Sequence, residues 1–329
     1  MINDREYLCA SSFLFACDGS GTPGERLQRY KECANADSLR STVKDTFRLN
    51  AKDDLNIYSL AISNAVEKIK EMVPDIKVFY PLLYKYDCTN IKTAIKCKIR
   101  GIDPQGMLFS CGTLPLEKVV EMANNSKFEG TPEGMTAAAN KAIMTYAETG
   151  EVRAIDLLLD KACFEDMQRG AKQGDIPLMK DIVSLRADGV NLLSALRIAQ
   201  TGMPESSAKA LFKRAFVPGG TLHEDCFILQ KGGIAAHEEI TKNARASKSF
   251  PYVKAALEAK SFSHAEKIFD EAVLSLCNEF RYKPFGPEIA VRFLLIREAE
   301  MTNCRILEAA MSSKEALDTV SERLRISYV

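Results

Sequence analysis

Asp87-Cys88-Thr89-Asn90-Ile91-Lys92-Thr93-Ala94-Ile95-Lys96 is the stretch that decides how this chain is read, because it is echoed twice downstream. The second copy is Asp188-Gly189-Val190-Asn191-Leu192-Leu193-Ser194-Ala195-Leu196-Arg197. A third, more worn, is Glu300-Met301-Thr302-Asn303-Cys304-Arg305-Ile306-Leu307. Successive asparagines stand close to a third of the 329-residue chain apart, a spacing that predicts three related units.

Residues seven and three before each Asn, and four and seven after it, share one stripe of a helix. The stripe reads Leu83, Asp87, Asn90, Ala94, Cys97 in the first copy and Ser184, Asp188, Asn191, Ala195, Ile198 in the second. In the third it reads Ile296, Glu300, Asn303, Leu307, Ala310. A carboxylate and an amide therefore sit in a mostly small or apolar face, where each must find hydrogen-bond partners. Three equivalent acids spread over three units do not make the single asymmetric constellation that catalysis needs. They point to a repeated structural role, bonding a neighbouring helix or a loop within each unit.

Composition narrows the possible functions. The length fits two or three domains, and 46% apolar with 27% charged residues describes a chain with packed cores. Lys plus Arg and Asp plus Glu number 44 each, so overall charge favours neither a nucleic-acid partner nor an acidic substrate. No apolar run is long enough to cross a bilayer, and Met1-Ile2-Asn3-Asp4-Arg5-Glu6 lacks the regions of a signal peptide, so a cytoplasmic location is expected. The ten cysteines are scattered singly with no Cys-x-x-Cys, which reads as reduced, small core residues and not as a metal site.

In chain order, 4–17 has a helical rhythm (Tyr7, Leu8, Ser11, Phe15) and is followed by a glycine-rich turn. Gly19 and Gly24 have the spacing of a phosphate loop, but Glu25 and Arg26 stand where Lys and Ser or Thr are needed, so nucleotide binding is not expected. Residues 25–72 are helix-compatible with a break at Ala51-Lys52-Asp53-Asp54, and Pro74 ends that helix at Met72 or Val73. Beyond the first copy, Lys85, Lys92, Lys96, Lys98 and Arg100 form a basic shoulder closed by Gly101. It reads as a solvated face complementing the helix dipole, with a contact patch for an acidic partner as the competing reading.

Gly112-Thr113-Leu114 and Gly220-Thr221-Leu222 recur at matching places and read as turns with Thr as an N-cap. Helical sequence continues through Thr136–Arg169. The runs Leu157–Phe164 and His264–Ala272 precede the second and third copies at similar distances, and Lys314–Tyr328 reads as a charged amphipathic helix. Composition breaks at Phe128–Gly134, and at Lys231–Ile234 or Ala246–Pro251, divide the chain into helical domains 1–129, 130–248 and 249–329. Strand signals are scarce, so the fold class is all-α.

Little in the chain carries chemistry. His223, His237 and His264 have neither metal-ligand nor dyad spacing; after His237-Glu238-Glu239 the second ligand of a zinc helix is replaced by Thr241. There is no G-x-S-x-G and no tryptophan, and no catalytic residue, cofactor or metal is assigned.

The three D-x-x-N-[IL]-like copies, the Gly112-Thr113-Leu114 turn, Leu159–Asp166 and above all the ending carry a family likeness. That ending runs Pro284-Phe285-Gly286-Pro287-Glu288 into Leu294–Ile306 and finishes Ser321–Val329. The chain resembles the C-type (AC39) component of the V/A-type ATPases, called the d component in the eukaryotic enzymes, over nearly its whole length. The resemblance implies three similar all-helical domains around a pseudo-threefold axis, shaped as a funnel. It also implies a non-catalytic rotor component of the central stalk, present once in the complex. Such a component sits on the cytoplasmic face of the membrane proteolipid ring and receives the D and F proteins of the central shaft. Two departures are Glu300 in place of Asp and the glycine-free Ala309–Ser313. A cytosolic helical scaffold or adaptor would account for tandem helices, though not for the Pro284–Glu288 ending.

Overall fold

Proline and glycine punctuate runs whose apolar residues recur every three or four positions, and those runs fold as helices. A computed structural model describes residues 3–17, 21–50, 57–130, 132–227, 229–230, 233–234, 237–245, 247–313, 315 and 320–328. Among them are fourteen α-helices and one antiparallel ribbon of two-residue strands, so the protein is all-α. The chain forms two compact units, Met1–Phe79 with Val273–Val329, and Tyr80–Ala272.

The first unit begins with a 3-10 turn (Asp4–Tyr7) leading into α1 (Leu8–Ala16), whose core face is Tyr7, Ala10, Ser11 and Leu14. Leu8 and Phe15, which belong to the helical rhythm of this stretch, are about half exposed at 52% and 50%. α2 (Pro23–Lys31) starts in a capping box: Thr22 N donates to Glu25 Oε2 at 2.7 Å and Glu25 N donates to Thr22 Oγ1 at 3.3 Å. Glu25 thus closes a helix start. Gly19 lies outside the described residues, as does the break at 51–54.

α3 (Ala36–Phe47) opens on an Asn35–Ser38 box, and α4 (Ile57–Met72) stops at Met72, two residues before Pro74. After the second unit the chain returns to this first unit at Val273, and its longest helix follows there.

The second unit opens with α5 (Tyr80–Arg100), which carries the first D-x-x-N copy and ends in a left-handed Gly101 (φ 66°). There Ile102 N reaches back to Cys97 O at 2.9 Å, closing the last turn as a glycine C-cap does. α6 (Leu116–Asn124) packs on α5. α7 (Glu133–Thr149) and α8 (Val152–Gly174) form a hairpin turning at Gly150 (φ 68°), and both pack on α5. α9 (Pro177–Gln200) carries the second copy and packs on α8 and α10 (Glu205–Ala215).

The strands Leu229–Gln230 and Gly233–Ile234 pair in a small ribbon; Lys231, Gly232 and Ala246, in the sequence's linker candidates, lie outside the described residues. α11 (His237–Ala244) and α12 (Phe250–Leu257) follow, and α13 (Phe262–Asn278) carries the chain back to the first unit.

There α14 (Pro287–Ser313), bearing the third copy, packs on α1, α2, α3 and α4. It is buried on nearly every side, which explains why its sequence shows no single apolar stripe. The expected helix over Lys314–Tyr328 is not observed across 322–328, which run without helix; Lys314 and 316–319 lie outside the described residues. The buried amide described below holds Arg325 in place of a helical partner.

The basic shoulder divides: Lys98 and Arg100 are exposed, as a solvated face would be, whereas Lys92 and Lys96 are part-buried and paired. Lys92 pairs with Asp160 and Lys96 with Asp156, both at 2.6 Å, tying α5 to α8. Lys98 Nζ donates to Asn124 O and Ser126 Oγ, each at 2.6 Å.

Asp166 on α8 shows how such ties are made. It is 2% exposed and accepts from Gly134 N at 3.1 Å and Met135 N at 2.8 Å, so a carboxylate from one helix satisfies the orphan donors at the start of α7. Asp166→Ala is expected to lower stability by about 2–3 kcal/mol in urea unfolding. A shift below about 0.5 kcal/mol would mean that water replaces the carboxylate.

Candidate functional site

The three sequence copies place buried polar side chains against the chain that follows each long helix. Asn90 on α5 donates through Nδ2 to Phe109 O and accepts at Oδ1 from Phe109 N, both at 2.8 Å. Asn191 on α9 makes the same pair with Val217, both bonds at 2.9 Å. Asn303 on α14 makes it with Arg325, at 2.7 Å and 2.8 Å, and also donates to Tyr328 Oη at 2.9 Å. All three asparagines are 0% exposed. A primary amide offers one donor edge and one acceptor edge, so it can stand in for a neighbouring strand and saturate one residue's backbone inside the core.

The carboxylates of the first two copies hold the next part of the same loops. Asp87 accepts from Thr113 N (2.9 Å), Thr113 Oγ1 (2.6 Å) and Leu114 N (3.1 Å). Asp188 accepts from Thr221 N (3.1 Å), Thr221 Oγ1 (2.6 Å) and Leu222 N (3.0 Å), and Ser249 Oγ also donates to it. The threonines are therefore not helix N-caps, as the sequence reading has them: their hydroxyls are turned inward to a buried charge. α6 instead starts from Pro115, and the 3-10 turn Glu224–Cys226 starts from His223.

The preceding glycines have a steric cause. A Cβ on Gly112 would overlap Asp87 Oδ1, and one on Gly220 would overlap Asp188 Oδ1. Only hydrogen fits where the loop closes over the carboxylate. In the second copy Gly189 likewise leaves room for the Phe269 ring, whose Cγ would lie 2.7 Å from an added Cβ.

Glu300 in the third copy has another partner. One methylene longer than Asp, it takes Arg26 Nε at 2.6 Å, and Arg297 Nε lies 3.4 Å from its other oxygen. All three side chains are at most 1% exposed. The Arg297 guanidinium stacks on Phe47, with Cζ 3.3 Å from the ring centroid, and Arg26 approaches the same ring at 5.7 Å. Two cations around one carboxylate are sustained here by an aromatic face as well as by ion pairing.

The sequence reading did not single out Asn140. It clamps Phe128 from α7, with Phe128 N donating to Oδ1 at 3.0 Å and Nδ2 donating to Phe128 O at 3.3 Å. The available signal was an Asn directly after Ala137-Ala138-Ala139, a polar residue in a small apolar helix face.

Among the described residues no group of three or more His, Cys, Asp or Glu is arranged to hold a metal. Each carboxylate of the three copies is occupied by turn donors or an arginine, so the arrangement fixes loops to helices and leaves none of these acids facing a substrate. Burial raises the Asp87 carboxyl above its ordinary value, against the opposing effect of its three donors.

Asp87→Ala combined with Asn90→Ala is expected to cost about 3–5 kcal/mol in urea unfolding, because Thr113, Leu114 and Phe109 each lose a buried partner. An unchanged midpoint would show that solvent satisfies them. The raised Asp87 group gives a second expectation. The unfolded chain ionises first as pH rises, so Asp87 favours the folded state most below the ordinary carboxylate range and loses that contribution as pH rises through the folded value. The stability of the parent relative to Asp87→Asn should therefore grow from neutral to acid pH; a difference flat with pH would contradict this.

The model of the ATP synthase (C/AC39) subunit family matches residues 57–314. The C subunit of the A-type ATP synthase of Pyrococcus horikoshii is 23% identical over 318 residues, covering 90% of this chain and 84% of its own length. The corresponding C subunit of the A-type ATP synthase of Methanocaldococcus jannaschii is 25% identical over 250 residues, covering 70% and 61%. The C subunit of the V-type sodium ATPase of Enterococcus hirae is 20% identical over 269 residues, covering 81% and 80%. The matched segment contains Asp87, Asn90, Asp188, Asn191, Glu300 and Asn303, and the chain belongs to the ATP synthase (C/AC39) subunit family, a structural and not a catalytic component of the A/V-type ATP synthases.

Proposed function

We propose that this protein is the central-stalk rotor component of a V/A-type ATPase or ATP synthase, linking the D–F shaft to the membrane proteolipid ring and transmitting torque. The family match over 57–314 carries the reading. Three related helical units, 1–129, 130–248 and 249–329, form a funnel on the cytoplasmic face of the membrane, in this reading. Repeat units of this kind need not coincide with compact units, since a chain can exchange its ends across a core.

Supporting it, each of three long helices fixes its following loop through the same two-bond amide pair. A part that passes on twist must resist shear between helices, and bonds from a buried side chain to a loop backbone resist it more than apolar contact does, because they are directional. No helix of the described residues is long and apolar enough to cross a membrane, which suits a peripheral component.

Co-expression with the D and F shaft proteins should yield one complex containing a single copy of this chain. In detergent that complex should retain the proteolipid ring. A chain that elutes alone, and that recovers no ATPase component from its own cells, would favour the free-standing scaffold. Within an assembled enzyme, Gly220→Ala should loosen the α9 loop and lower ion pumping more than ATP hydrolysis. Equal loss of both would count against a torque-bearing role.

A further inference from the structure

The faces of α5 and α8 meet in an antiparallel register that can be read rung by rung. Lys96 meets Asp156 and Lys92 meets Asp160, so α5 steps back four residues as α8 advances four. The next rung places Cys88 opposite the turn that holds Cys163. Cys88 Sγ lies 3.5 Å from Leu159 O and 3.8 Å from Asp160 Oδ1. In an α-helix Leu159 O is the acceptor for the amide of Cys163, so the Cys88 sulfur sits beside the backbone of its counterpart.

Both thiols are buried, at 2% and 4% exposure, yet both line a cavity of about 330 Å³ that also takes in Lys92, Met167 and Phe269. A hydrogen bond with Cys88 and then burial keep the Cys163 thiol well above its usual range. Lys92, one turn from Cys88, puts its ammonium group on the same cavity wall, where its pairing with Asp160 at 2.6 Å offsets the carboxylate that lies beside the Cys88 sulfur.

We infer that Cys88 and Cys163 form a peroxide-oxidisable dithiol site, in which the helix register presets a disulfide between α5 and α8. The Cys88 thiolate attacks one oxygen of hydrogen peroxide; a sulfur–oxygen bond forms, the oxygen–oxygen bond breaks, and the departing hydroxide is protonated to water. Cys163 then attacks the sulfenic sulfur. The sulfur–sulfur bond forms, the sulfur–oxygen bond breaks, and the leaving hydroxide takes the Cys163 proton as a second water. Two thiols lose two electrons to one peroxide, and the cavity is large enough to admit it.

The test treats the full-length folded protein with hydrogen peroxide, blocks remaining thiols with N-ethylmaleimide, and maps peptides by mass spectrometry without reduction. The expected product is a peptide pair joined through Cys88 and Cys163, lighter by two hydrogens, reversed by dithiothreitol, and accompanied by a raised melting temperature. Cys88→Ser and Cys163→Ser should each abolish it. The inference is overturned if both cysteines are recovered blocked by maleimide, or if oxygen is added to Cys88 or Met167 with no cross-link. A cross-link that lowers the melting temperature also overturns it, since the register would then not preset the bond. Because mapping is done on the parent protein, the result stands even if a serine variant fails to fold.

Discussion

A polar side chain inside a helical core is tolerated only when every lone pair and proton has a partner, and this requirement governs how the chain leaves its long helices. Helices satisfy their own backbone, but the segments after them do not, and here three of those segments pass through buried space. An amide on the helix meets the first need, since its two edges match one residue's carbonyl and N–H. A carboxylate meets the next, since a turn exposes successive N–H groups that a negative oxygen can accept together. The acid and the amide are three residues apart because that distance keeps both on one helical face while separating them by nearly a turn of height.

The third copy tests this account by departing from it. No Gly-Thr-Leu turn follows α14, and the longer Glu300 reaches a different donor, Arg26 at the start of α2. A long-range ion pair between the ends of the chain thus occupies the place that a local loop bond takes elsewhere. Because both partners are fully buried, either one alone would be a costly uncompensated charge, and the two positions are bound to each other chemically although hundreds of residues separate them. Phe47 adds a face for both arginines, which spreads the burden of the excess cation.

The same logic of register orders the α5–α8 interface of the other unit. Ion pairs at consecutive turns fix how one helix lies along the other, and everything on the neighbouring rungs follows from them, including the facing thiols. Lysines that would be a solvated face on an isolated helix become rivets once a second helix presents aspartates at the same pitch.

Much was legible in the sequence because it depends only on local periodicity. The helices, the stop before Pro74, the Gly101 cap, and the need of Asp87, Asn90, Asp188, Asn191, Glu300 and Asn303 for partners all follow from spacing and desolvation. The identity of those partners did not. Thr113 and Thr221 read as caps because a hydroxyl after glycine caps helices in general, and only the folded chain brings a carboxylate close enough to compete. Arg26 and Asp166 carry no short-range pattern, and Asn140 only that of a polar residue in a small apolar face, since their partners are fixed by which segments become neighbours. Likewise the non-helical run over 322–328 has a helical composition, overridden by one buried amide that bonds Arg325. Local spacing and desolvation set most of the helices and which polar groups must be satisfied; packing between distant segments settled with what, because a hydrogen bond needs two atoms about 3 Å apart and the chain's order does not set that distance.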